Sequence, residues 1–319
     1  MNLFLKAVGI FAIGLVSIPV YAEVLSPGAA TDLKLDSLRR DEIREEVKKE
    51  NHEGLDKEIT DIKMRAQSGS QSKYSASFFM DYAGPAINRL HDNVRPMIGG
   101  AKNQKPVSMS GNVGLRYRFN TNNSLYAATG FNRADPMHSS ERENPTSINT
   151  PIIQWNNTRA IKSWQVGQDV NLAFTTLPVD RAIHQLGSVG YSATALNPLG
   201  QSRFDGGASI RSYYTFFETT KVSDADLEKQ ADSVIMISPS IQYRATDKLN
   251  VFSSFQLFNF MHRRSNPGLD GFKSETRTQR FGLGYAFTRD LYFSPDVSFE
   301  PTQMALNNTT FNLSSRMNF

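Results

Sequence analysis

The sequence predicts an all-β protein: an up-and-down antiparallel transmembrane β-barrel of twelve strands, behind a short N-terminal helical extension. Three observations carry this. From Lys73 onward polar and apolar residues alternate with a period of two, which sets one face of each strand in an apolar environment and the other in a wet one. The connections alternate between short and long, as in barrels with short turns at one rim and longer loops at the other. Aromatic residues on the apolar face collect near the two ends of the strands, where a membrane has its interfaces.

The cleanest run is 107–119, where Val107, Met109, Val113, Leu115, Tyr117 and Phe119 alternate with Ser108, Ser110, Asn112, Arg116 and Arg118. Similar runs occur at 73–83, 125–132, 163–175, 186–195, 204–219, 232–244, 249–262, 276–287, 291–299 and 309–319. Both ends of such a barrel lie on one side, so the strand count is even. The short connections are 120–124, 197–203, 245–248 and 288–290; the longer ones are 84–106, 176–185, 220–231, 263–275 and 300–308. They agree only if one more strand lies between Arg133 and Lys162. The stretch 149–158, with Ile152 and Trp155 among polar residues and a turn beginning at Asn156-Asn157-Thr158, supplies it. Roughly 250 residues then give about 20 per strand with its loop.

Parity sorts the aromatics. Tyr74, Tyr117, Phe119, Trp164, Tyr243, Tyr285, Phe287 and Phe319 fall outward at the short-turn end; Tyr82, Phe131, Phe174, Tyr214, Phe216 and Phe299 form the opposite band. A soluble β-sandwich has no reason to sort its aromatics into two rings. No apolar stretch of 18 residues follows the N-terminal leader, so the membrane is crossed by strands rather than a helix.

The last residues carry a resemblance. Thr310, Asn312, Ser314, Arg316 and Asn318 lie on one face, and Phe311, Leu313, Met317 and Phe319 on the other, with Ser315 the lapse. This is similar to the closing strand of Gram-negative outer-membrane β-barrel proteins. The resemblance is to an architecture. It implies a bacterial outer-membrane location, a lipid surround, and Phe319 as the assembly signal read by the β-barrel assembly machinery.

The N-terminal 72 residues differ. Met1–Lys6 carries one positive charge, Ala7–Pro19 is apolar, and Val20-Tyr21-Ala22 ends in a small residue, the pattern of a secretory signal peptide over 1–22. Residues 23–72 read as a periplasmic helical extension and linker, and 73–319 as the barrel. Within the extension, Glu45–Lys49 and Glu53–Lys57 are helix-supporting pairs. Leu55, Ile59, Ile62 and Ala66 make a seam of about two heptads, short of a coiled coil. Gln67–Ser72 reads as a flexible hinge. A solvated helical segment, a plug entering the barrel and an oligomerising helix all remain open, as does docking of the acidic Asp41, Glu42, Glu45 and Glu46 on a basic mouth.

The same parity places Lys73, Arg116, Arg118, Arg211, Arg244, Arg280 and Arg316 toward the lumen, against Asp81, Asp169, Asp205 and Asp296. Rings of one sign bias which ions enter a pore, so a weak preference for anions is expected; cross-pairing that fills the lumen is the structural alternative. Phe79, Tyr126, Phe252, Phe258 and Phe260 also fall inward, which would suit a hydrophobic ligand, an infolded loop or contact with another subunit.

No enzyme is expected. The absence of Cys excludes thiol chemistry and Cys-held metal. The five histidines, His52, His91, His138, His184 and His262, lack zinc spacing, and no carboxylate cluster suggests a hydrolase. No cofactor is implied. A net charge of +4 without clustering gives no nucleic-acid partner. The reading is a porin-like channel for small hydrophilic solutes, or else a plugged structural barrel that meets partners through its loops or helices. A homo-oligomer is compatible with both.

Overall fold

The computed structural model describes residues 59, 61–96, 106–136, 146–218, 227, 230–265, 268, 272–274 and 277–319. The expected signal peptide and the acidic segment around Asp41 lie outside the described residues.

Fourteen strand segments form one closed sheet. They are β1 (Tyr74–Ala86), β2 (Ser108–Arg118), β3 (Asn123–Ala134), β4 (Thr146–Ile161), β5 (Trp164–Phe174), β6 (Gln185–Pro198), β7 (Phe204–Phe217) and β8 (Ala231–Arg244), followed by β9 (Leu249–Phe255), β10 (Phe258–Arg263), β11 (Phe272–Ser274), β12 (Gln279–Ala286), β13 (Leu291–Phe299) and β14 (Thr310–Asn318). β9 and β10 both pair with β8 and are two halves of one wall strand. β11 and β12 are likewise one strand, pairing with β10 and β9. The wall therefore has twelve strands, each antiparallel to its neighbours. β1 closes on β14 with Ser77 opposite Asn318 and Phe79 opposite Arg316. Phe319 continues that ladder, donating to Ala76 O at 2.7 Å and accepting from Ala76 N–H at 3.1 Å.

The strand inferred from loop parity is present as β4 and is longer than expected, running to Ile161. β11 lies inside the stretch expected to be loop; its Ser274 pairs with Phe260.

One parity correction follows from pairing. Ser254 lies opposite Ser240 and Phe258 opposite Ile237, so four steps on one strand meet three on the other. The extra residue at Gln256-Leu257 is a β-bulge, and it exchanges the faces beyond it. Phe258 and Phe260 therefore share the outer face with Ile237 and Ile235, their rings stacked 5.8 Å apart. Phe79, Tyr126 and Phe252 stay on the inner face, opposite Arg316, Arg116 and Gln242.

The outer face is an exposed apolar band. Leu115, Ile153, Leu172, Ile241, Phe281 and Leu283 are all exposed there. At the short-turn rim aromatic rings cluster, Tyr74 with Tyr117 at 5.2 Å, Phe204 with Tyr243 at 4.9 Å and Tyr285 with Phe287 at 4.7 Å. At the long-loop end Tyr214 meets Phe216 at 5.2 Å. Phe299 departs from the band by being covered, stacked on Phe281. The inner face is the reverse: Ser75, Ser77, Arg116, Asp205, Gln242, Asn250, Asp296 and Asn312 are buried polar groups. Polar groups stay inside because they find hydrogen-bond partners there and would find none in hydrocarbon.

Candidate functional site

A short helix, α1 (Ile62–Ser68), sits within the short-turn mouth. Its start and stop are local. Asp61 is the N-cap, accepting from Met64 N–H at 2.6 Å. Gly69 ends the helix at φ 74°, a left-handed conformation that a side chain resists, and its N–H returns to Arg65 O. Seven residues have little helical stability alone, so tertiary contact must hold this turn.

Two apolar contacts do so. Ile62 and Ala66 pack with Ala286 of β12 and Tyr292 of β13. Ile59 and Met64 pack with Leu196 of β6. The helix thus touches walls on different sides of the mouth.

Its polar ends are fastened separately. At the N-terminus Asp61 N–H donates to Gln165 Oε1 at 2.6 Å, and the Asp61 carboxylate accepts from Gln242 Nε2 at 2.6 Å. Gln242 also donates to Asp205 at 3.1 Å, and Asp205 is ion-paired with Arg244 at 3.0 Å. Burial pushes the Asp61 carboxyl above its ordinary value, opposed by the Met64 N–H and Gln242. At the C-terminus Arg116 donates to Gln67 O at 3.0 Å and Ser68 O at 2.5 Å, and Arg118 to Ser68 O at 2.8 Å and to Ser70 O. Asn318 donates to Ala66 O at 3.3 Å and Arg289 to Gly69 O at 3.4 Å. Cations at these carbonyls complement the negative end of the helix. The stretch expected to be a flexible hinge is therefore helical at its start and gripped by the wall through Ser70.

Lys63 and Arg65 point in opposite directions. Arg65 reaches Asp247 O in the short turn at 3.0 Å. Two residues are roughly 200° of helix, so Lys63 extends the other way, into the barrel, where it is exposed. Enclosure, together with Arg280, Arg211 and Arg316, lowers its ammonium pKa to about 8 against the opposing pull of Asp61.

The residues expected to face the lumen sort as follows. Arg280 pairs with Asp296 through two hydrogen bonds, and Asn312 joins Asp296 at 2.8 Å. Asp169 accepts from Ser192 across β5 and β6. Arg316 lies over the Phe79 ring at 5.5 Å and Arg116 over Tyr126 at 5.7 Å. Arg211 is exposed, with no hydrogen-bond or ion-pair partner among the described residues. Lys73 is the correction. It is exposed at the rim with its ammonium 5.6 Å from the ring of outward-facing Tyr117. It precedes the first strand residue, Tyr74, and although its carbonyl accepts from Arg118 N–H at 2.8 Å, its side chain turns to the outer ring at the rim.

Sequence reasoning missed Asp61, Lys63, Gln165, Gln242 and Asn318. The available signal was the Asp61-to-Gly69 spacing, an N-cap and a C-cap around one short helix. Among the described residues no cluster of three potential metal ligands occurs.

No protein-family model and no curated protein sequence matches this chain. Solved structures do resemble it. An outer-membrane channel from Pseudomonas putida F1 aligns at TM-score 0.46 and 10% identity over 79% of this chain and 98% of that one. The KdgM porin in complex with disordered oligogalacturonate gives 0.42 and 8% over 77% and 99%. Salmonella typhi OmpF in complex with daunomycin gives 0.39 and 8% over 79% and 99%. None of these scores reaches 0.5, so the barrel rests on the strand pairing of this chain itself.

Proposed function

We propose that the chain is a bacterial outer-membrane channel for small hydrophilic solutes, with a weak preference for anions, whose periplasmic mouth is narrowed by α1. The observation that carries this is the pairing of an exposed apolar outer band with a polar inner face in one closed barrel. Water and solutes belong on the second surface and lipid on the first. The short-turn mouth is read as periplasmic and the long loops as external. Lys63, Arg116, Arg118, Arg211, Arg244, Arg280 and Arg316 face the pathway against Asp61, Asp81, Asp169, Asp205 and Asp296, a small positive excess. Phe319 is read as the assembly signal, and the chain as no enzyme.

A second reading has its own observation. The grip on α1 at both ends suits a permanent plug, which would make this a structural or surface-interaction barrel. Single-channel recording from the purified protein, with and without residues 23–70, separates the two. Steady openings in the intact protein are expected. Openings only after deletion favour the plug, and silence in both removes the channel reading.

A further inference from the structure

We propose that Arg116 and Arg118 on β2, with Arg289 in the turn between β12 and β13, form a site for a soluble phosphate-bearing anion, and that the backbone of residues 67–70 occupies this site as a displaceable stand-in. On the channel reading above, on which this rests, such an anion releases α1 and widens the mouth. The three guanidinium groups meet on one residue. Arg116 Nη1 donates to Ser68 O at 2.5 Å, and Arg118 Nη2 donates to the same oxygen at 2.8 Å. Arg289 Nη2 donates to Ser68 Oγ at 3.3 Å and its Nε to Gly69 O at 3.4 Å. Guanidinium groups converging on clustered oxygens are the arrangement that recognises a phosphate.

What these cations lack is a full counter-charge. Arg116 is 5% exposed and Arg118 8%. Every hydrogen bond they make among the described residues ends on a neutral backbone carbonyl: Gln67 O and Ser68 O for Arg116, and Ser68 O, Ser70 O and Thr121 O for Arg118. The Nε of each is buried without an acceptor. Asp290, beside Arg289 in the same turn, attracts Arg118 and Arg289 but hydrogen-bonds to neither among the described residues, and its Oδ1 is buried without a partner. A buried cation without its counter-ion is costly, and an unmet N–H adds to that cost. A phosphate supplies both charge and oxygens. Ser68 O, however, already lies on the donors that a phosphate needs, so seating of the extension and binding of the anion exclude one another. Arg116 and Arg118 are held in the β1–β2–β3 ladder, so the site persists when the extension leaves. The stand-in fits closely: a Cβ on Gly69 would lie 2.5 Å from Arg116 Nη1 and 3.0 Å from Asn318 Oδ1.

The test measures trypsin cleavage after Lys63 or Arg65 in the purified full-length protein, in inorganic phosphate and in chloride at equal ionic strength. Phosphate is expected to speed cleavage. An anion that binds only the released state, at about ten times its Kd, multiplies the population of that state about eleven-fold. Gly69→Ala unseats the extension and leaves all three arginines in place. Its cleavage should be fast in both salts, which also controls for any action of phosphate on the protease, and calorimetry should show it binding phosphate several-fold more tightly than the wild type. In that background Arg116→Gln and Arg118→Gln should each weaken binding roughly ten-fold, the loss of one charge-assisted contact. Lys73→Gln, on the outer rim, should not. Equal cleavage of the wild type in the two salts overturns the proposal whether or not Gly69→Ala folds, and so does phosphate binding that survives loss of both arginines. A protein that conducts neither intact nor shortened removes the channel reading, while the effect of phosphate on cleavage still decides the anion site.

Discussion

Asp61 is the residue on which the seating of α1 depends most locally, because one carboxylate caps the helix and meets the wall. Asp61→Ala removes both contacts. Loss of a cap alone costs about 1 kcal/mol, and the Gln242 amide is left without that acceptor. The expected outcome is a larger share of high-conductance openings than in wild type. Asp61→Asn keeps an oxygen for the Met64 N–H and should retain seating. The pH dependence has a definite sign. A buried carboxyl whose pKa is raised on seating takes up a proton as it seats. Its contribution favours the seated helix below that raised pKa and is lost as pH rises through it. Asp61→Asn should remove that acid-side dependence, read from open-state occupancy against pH.

At the scale of elements, the wall strands β2, β5, β8 and β14 and one short helix form the clamp. Arg116 and Arg118 on β2 deliver charge-assisted hydrogen bonds to the carbonyl end of α1, and such bonds contribute roughly 1.5–3 kcal/mol each. The double variant Arg116→Gln, Arg118→Gln is expected to free the helix without opening the barrel. Limited trypsin digestion reads this directly: cleavage after Lys63 or Arg65 should be slow in the wild type and fast in the variant, with the barrel fragment intact in both. The element scale also shows where alternation stops being a guide. Period-two parity placed Arg116, Arg244, Arg280 and Arg316 with their polar neighbours, because each lies in a ladder with continuous pairing. It misassigned Phe258 and Phe260, because a bulge is a disagreement between two strands and cannot be seen in one.

At the scale of the whole molecule, orientation is the property to test. Cysteine substitutions at Ser139 and Ser223, in the long connections, should label in intact cells with an impermeant reagent, and one at Asn122, in a short turn, should not. The opposite pattern would reverse the barrel. The prediction turns on loop asymmetry, since the pairing of twelve antiparallel strands is the same from either side of a membrane.

The sequence by itself determined the barrel, the number of its strands and the division of most side chains between the two faces. Those properties follow from a local period and from connection lengths, and both are written along the chain. Tertiary structure alone decided that α1 sits in the mouth and that Gln67–Ser70 is held rather than hinged. The grip joins Asp61 to Gln165 and Gln242, and Ala66 to Asn318. Such contacts between residues more than a hundred positions apart exist only once the wall has closed, because closure is what brings β2, β5, β8 and β14 around one helix.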